Sequence, residues 1–148
     1  MGTRLYGCDT CQEACIENKD PGEGLQAFRP DALDRRPDPV SIVQMSDPEF
    51  RDAWGSKAAG WRGRRTLQRN ALIALANTGD EGDLPLLRRA LDDARPVIRG
   101  YAAWASGEIL RREGTQDRNG IEGALMTLAE VDGDDEVRSE ARRALQRL

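Results

Sequence analysis

From residue 46 to the C-terminus, apolar residues recur at helical spacing. Leu67, Ala71, Ala74 and Leu75 stand at i, i+4, i+7 and i+8, which puts them on one face of an α-helix. The stripe stops at Thr78-Gly79, where a glycine can take the left-handed conformation that closes a helix. A second stripe, Leu84, Leu87 and Leu91, follows Asp80 and Asp83 and predicts a partner helix. The pair then repeats. Ile98, Ala102 and Ala105 restate the first stripe, and Ile121, Ala124 and Leu128 restate the second. Val137, Ala141, Ala144 and Leu145 give the first stripe again, on a last helix over 135–148. Leu67, Ile98 and Val137 lie 31 and then 39 residues apart, with the extra length assigned to a loop over 111–120. Two helices per unit at this period mark an all-α fold, an α-solenoid. The competing reading is an irregular bundle with chance alanine spacing.

Upstream the pattern changes. Ser46-Asp-Pro-Glu49 is a capping box with proline in the first turn, so a short helix through Trp54 is expected. Before it, Pro21, Pro30, Pro37 and Pro39, with Gly22 and Gly24, break up 21–46. Proline fixes φ and removes a donor, so this segment reads as an extended linker. The chain thus divides into an irregular cysteine-containing segment (1–20), a linker (21–46) and a helical-repeat domain (47–148).

Composition narrows the functions. The chain has 148 residues, 39% hydrophobic and 32% charged, with three cysteines and no histidine. No apolar run reaches the ~20 residues of a membrane span, and the first 30 residues hold no stretch of signal-peptide length. A cytoplasmic location with no membrane partner is the expectation. The absence of histidine removes the commonest general base, the Ser–His and Cys–His pairs and every His-ligated metal site. Twenty arginines stand against two lysines; a GC-rich genome accounts for that ratio, and guanidinium is also the better fork for phosphate.

Cys8, Cys11 and Cys15 have the spacing C-x2-C-x3-C. Thiolates are soft anionic donors that hold iron–sulfur clusters, and in two-cluster ferredoxins the cysteine after such a run reaches the other cluster. Either site then needs cysteines beyond these three. A zinc site completed by a carboxylate and three free thiols are the alternatives. Half a ferredoxin motif leads to the expectation that the chain is a portion of something longer.

The net charge of −4 conceals a segregation. From Ala53 to Gly79 there is no Asp or Glu, while Lys57, Arg62, Arg64, Arg65 and Arg69 give +5 and leave −9 elsewhere. Glycines at 55, 60 and 63 allow close approach, and Trp54 and Trp61 offer stacking faces. Clustered arginine with glycine and aromatics suits a nucleic-acid backbone, RNA in particular. A solvated surface with both tryptophans packed inward is the plainer reading. The acidic run over 132–136 reads as a solvated loop and helix N-terminus.

Tyr6-Gly-Cys-Asp-Thr-Cys-Gln-Glu-Ala-Cys15, followed by Asn18-Lys19, resembles the second cysteine motif of the epoxyqueuosine reductases. Trp61-Arg-Gly-Arg-Arg-Thr-Leu-Gln-Arg-Asn-Ala-Leu-Ile-Ala-Leu75 resembles the start of that family's C-terminal HEAT-like domain, and Arg99 with Ala102-Ala-Trp-Ala105 its next repeat. Ile16 stands where the family usually has proline. The resemblance implies a HEAT-like fold and a role in reducing epoxyqueuosine in tRNA to queuosine, with cobalamin and two 4Fe-4S clusters. It implies cluster ligation by Cys8, Cys11 and Cys15 and a tRNA-facing surface at Arg62, Arg64, Arg65 and Arg69. The cobalamin-binding part, its catalytic acid and the first cysteine motif have no counterpart here. The chain is therefore expected to have no catalytic residue, to be inactive alone, and to grip the anticodon arm of tRNA, with a separate cobalamin-domain chain as a further partner. A protein–protein scaffold is the alternative from a different class, since helical-repeat surfaces commonly bind proteins. A small redox or zinc protein acting through the cysteines is a third.

Overall fold

The computed structural model of the chain describes residues 2–19, 37–114 and 120–148. Among the described residues every regular element is helical: α1 (Thr10–Glu13), α2 (Pro39–Gln44), α3 (Asp47–Trp54), α4 (Arg64–Thr78), α5 (Leu84–Ala90), α6 (Pro96–Glu113), α7 (Ile121–Val131) and α8 (Asp135–Gln146), with 3-10 turns at Ile16–Asn18, Ala58–Arg62 and Glu81–Asp83. None of these helices is long and apolar enough to cross a membrane.

The repeats form two rows. Helices α4, α6 and α8 stack side by side with α2 at the near end, while α5 packs on α6 and α7 on α8. The main core runs between the rows through Leu72, Leu84, Leu87, Ile98, Ala102, Ile109, Ile121, Leu125 and Ala141. Small residues set the spacing. A Cβ on Gly107 of α6 would lie 2.9 Å from the Ala144 Cβ of α8, so the two helices touch backbone to backbone. A second, smaller core at the near end gathers Ile42, Phe50, Leu67 and Ala71.

The capping box forms as the sequence predicts, with the Ser46 N–H donating to Glu49 Oε2 at 2.8 Å and α3 ending at Trp54. Asp80 and Asp83 make another before α5. The first-helix stripes are buried as expected, although Leu145 is only half-buried. On α7, Leu125 and Ala129 join Ile121 in the core, and Ala124 and Leu128 are half-buried at its edge.

Four local expectations change. Gly79 is not a left-handed cap: its φ is −69° and ψ 165°. Glycine is needed there for room, because a Cβ would stand 2.7 Å from Leu75 O and 3.1 Å from Ile109. The carbonyls at the end of α4 are taken by Arg112, which donates to Ala76 O at 2.9 Å and to Gly79 O. The end of the presumed extended linker is helical. Asp38 accepts from the N–H groups of Val40 and Ser41, Pro39 occupies the first turn, and Ile42 is buried. Pro21, Pro30, Gly22 and Gly24 lie outside the described residues. Helix α6 runs on to Glu113 and closes at Gly114, whose φ of 59° is the left-handed cap. Finally, Asp132 is buried rather than solvated.

Candidate nucleic-acid interface

The repeats are joined by a polar ladder that determines which arginines remain outside. Gln68 of α4 donates to Val43 O at 2.8 Å and Met45 O at 3.1 Å, and its Oε1 accepts from Arg95 at 2.9 Å. Arg95 also forks onto Asp93, with both oxygens at 2.8 Å. Arg99 donates to Asp93 O at 2.9 Å and grips Asp132 with two bonds of 2.7 and 2.8 Å. Arg138 repeats the move on Asp132 O. Bidentate guanidinium–carboxylate pairs favour both charged forms. The Arg95 side chain holds the Asp93 carboxyl below the usual carboxylate range, and Arg99 does the same to Asp132. This ladder was missed in the sequence, yet a signal was present: Asp93 and Asp132, like Arg99 and Arg138, are 39 residues apart, the offset of the apolar stripe.

The five cations of the basic segment have different surroundings. Arg64 faces the near end: its Nε donates to Asp47 Oδ1 at 2.6 Å and its Nη1 to Met45 O at 3.0 Å. That carboxylate belongs to the preceding helix, not a later one. Arg69 is half-buried, bonded to Asn70 Oδ1 and set 5.9 Å from the Tyr101 ring. Lys57, Arg62 and Arg65 are exposed. Lys57 lies 5.4 Å over the Trp54 ring and Arg62 lies 4.4 Å over Trp61. Arg65 borders a groove of about 1060 Å³ along α4, α6 and α8, with Val97, Tyr101 and Trp104 in its wall and Glu136, Glu140 and Arg143 on the far rim. The two tryptophans of the basic segment separate. Trp54 packs against the second core, whereas Trp61 is 70% exposed.

The cysteine segment is fastened to α4 rather than hanging free. Leu5 packs into the second core. The buried Asn70 carboxamide donates to Leu5 O at 2.6 Å, Asn77 donates to Gly2 O at 3.2 Å, and Trp61 Nε1 donates to the Tyr6 hydroxyl at 3.0 Å. Asn70 and Asn77 are two turns apart on one face, so an extended strand of chain can lie along it. Sequence reasoning assigned neither asparagine a role.

Cys8 and Cys11 are exposed, Cys15 is half-buried, and all three are free thiols. The Thr10 hydroxyl, 3.1 Å from Cys8 Sγ, holds that thiol below its ordinary pKa. Among the described residues no three Cys, Asp or Glu side chains are gathered so that they could hold a metal ion. A cubane cluster takes four thiolates, and the chain has three. The residues present do not make a cluster site by themselves.

Comparison with known proteins places this geometry. Residues 62–146 match the family model for HEAT repeats. An epoxyqueuosine reductase of Bacillus cereus is 36% identical over all of this chain and 38% of its own length. That of Bacillus subtilis is 43% identical over 74% of this chain and 29% of its own. The crystal structure of an epoxyqueuosine reductase with an epoxyqueuosine-modified tRNA-Tyr stem loop superposes with a TM-score of 0.86 at 36% identity, over 99% of this chain and 38% of that one. The chain thus spans about a third of the length of these relatives. It belongs to the HEAT-repeat family, and epoxyqueuosine reductases match it from end to end over that third.

Proposed function

We propose that this chain is the tRNA-gripping C-terminal portion of an epoxyqueuosine reductase-like protein, serving the reduction of epoxyqueuosine to queuosine in the cytoplasm. The observation that carries the reading is the likeness, over 99% of the chain, to a structure crystallised with a tRNA stem loop. In this reading Lys57, Arg62 and Arg65 meet phosphates of the anticodon arm, while Arg64 and Arg69 hold the surface in shape. Cys8, Cys11 and Cys15 are an incomplete ligand set, three thiolates that would hold a 4Fe-4S cluster only beside a fourth ligand. The family's cobalamin belongs to the part of the relatives that this chain does not match, and a polypeptide carrying that part is the further partner in this reading. No residue here is given a catalytic role, and the chain alone is expected not to reduce the substrate.

A scaffold reading keeps one specific observation in its favour. The α4–α6–α8 groove has an aromatic wall between rims of both charge signs, which suits a polypeptide better than a phosphate chain.

The experiment is a titration of an anticodon stem loop against the full chain. With three exposed cations engaged, log affinity against log salt falls with a slope of about −2 to −3. Arg62→Glu with Arg65→Glu weakens binding by at least about tenfold through loss of charge-assisted bonds. Arg64→Ala instead lowers stability by about 1 kcal/mol, with little change in affinity. Salt-independent binding, or full affinity in the double reversal, overturns the reading.

A further inference from the structure

The basic segment holds one side chain that phosphate contact does not explain. Trp61 is 70% exposed, whereas Trp54 and Trp104 are half-buried. Its setting is rigid. It lies in the 3-10 turn Ala58–Arg62, which packs so closely on α3 that a Cβ at Gly60 would stand 1.9 Å from Trp54 O. The turn ends at Gly63, whose φ of 81° only glycine adopts readily and whose missing side chain faces open space. The polar edge of the indole is satisfied by the Tyr6 hydroxyl. Tyr6 is itself placed by the neighbouring Leu5, which is packed in the second core and held by Asn70. An indole fixed at its edge, with the Arg62 guanidinium 4.4 Å over one side of its ring, has the opposite π-face as its remaining recognition surface.

We infer that Trp61, oriented by Tyr6, is a stacking platform for an unpaired base of an RNA loop. The inference rests on the RNA reading above and goes further, because it names what the protein reads besides phosphate. Base–aromatic stacking needs a flat, pre-oriented ring beside cations, and it distinguishes a loop from a duplex whose bases are already stacked. The segment favours RNA over a protein partner, since Lys57, Arg62 and Arg65 are exposed and residues 53–79 carry no carboxylate of their own. The platform is composite: the cysteine segment supplies Tyr6 and the solenoid supplies Trp61.

The test uses the full chain and two RNAs of equal phosphate count, an anticodon stem loop and a blunt duplex. The stem loop quenches the part of the tryptophan emission that Trp61→Phe removes, and the duplex does not. Trp61→Ala lowers stem-loop affinity about tenfold, to the duplex value, with the salt slope unchanged. Trp61→Phe restores part of the loss, because a ring remains, and Tyr6→Phe costs two- to threefold by freeing the indole. Equal quenching by both RNAs, equal losses for both in Trp61→Ala, or an unchanged stem-loop affinity overturns the platform and leaves the RNA reading standing. If neither RNA binds the unmodified chain, the RNA reading fails and the platform with it. Trp61 is at the surface, so an unchanged helical signature in Trp61→Ala shows that the variant is folded.

Discussion

The two ends of the solenoid use arginine in opposite ways. In the later repeats Arg95, Arg99, Arg112 and Arg138 turn inward, onto carboxylates and carbonyls of neighbouring repeats. At the near end Arg62 and Arg65 turn outward, and the nearby polar work is done by neutral amides, Gln68 and Asn70. Gln68 occupies the position that Arg99 holds one unit later, 31 residues on. Gln68 donates to carbonyls at the end of α2, and Arg99 to the Asp93 carbonyl just before α6. The near end makes its rung with a neutral amide beside Arg64, which is held by Asp47 and Met45 O, and Arg62 and Arg65 stay available. A count of arginines cannot separate the two uses; the presence of an aspartate at the matching repeat position can.

The largest effect is expected from breaking the inward use. The Asp132 side chain is 3% exposed and that of its partner Arg99 16%. Asp132→Ala leaves a largely buried guanidinium without its carboxylate, a loss of about 3–5 kcal/mol. The thermal midpoint should fall by roughly 10 °C, with stem-loop affinity per folded molecule unchanged. The pair also sets an acid limb. Because Arg99 depresses the folded-state pKa of Asp132, its stabilisation is present above the unfolded carboxylate value of about 3.9 and is lost as pH falls through the lower folded value. Asp132→Asn should flatten that limb in acid-denaturation curves. If the variant matches the parent in both midpoint and acid limb, the ladder carries no stability and the contrast between the ends disappears.

A smaller effect separates fastening from folding at the near end. Asn70 uses both ends of its carboxamide, donating to Leu5 O and accepting from Arg69. Asn70→Asp keeps the acceptor and replaces the donor with a second oxygen facing Leu5 O. Stability should drop by about 1–3 kcal/mol. Hydrogen exchange should rise at residues 2–8, while α6 to α8 keep their protection. Uniform loss of protection across all helices would show that Asn70 is simply core, with no separate hold on the cysteine segment.

These particulars show what the chain's pattern carried. The stacked helix pairs were legible because Leu67, Ile98 and Val137 head stripes whose burial depends only on periodicity. The Ser46–Glu49 cap was legible because both of its hydrogen bonds are local in sequence. Asp132 was misread because its partner, Arg99, is 33 residues away, and an acidic run before a helix has a sufficient local explanation. Gly79 was misread for the same reason: the group that takes the end of α4 is Arg112, one repeat later. In the candidate site the cation positions could be read, but not which cations are engaged. That depends on Asp47, Asn70 and Tyr101, which come from three different elements.

The smallest prediction concerns a place where the inward use of polar groups is incomplete. Ser106 of α6 is fully buried, and its Oγ has no hydrogen-bond partner among the described residues. Its neighbour Gly107 brings α8 against α6 at 2.9 Å from a would-be Cβ to Ala144, so the small volume at this turn matters more than the hydroxyl. A buried hydroxyl without a partner loses its hydration and gains nothing in return. Ser106→Ala removes that cost and keeps the volume, so it should leave stability unchanged or raise it by up to about 1 kcal/mol. Ser106→Val adds bulk where the helices meet and should lower it by about 1–3 kcal/mol. A marked loss in Ser106→Ala would mean that the hydroxyl is a rung in its own right, and that the later repeats rely on neutral polar groups as the near end does.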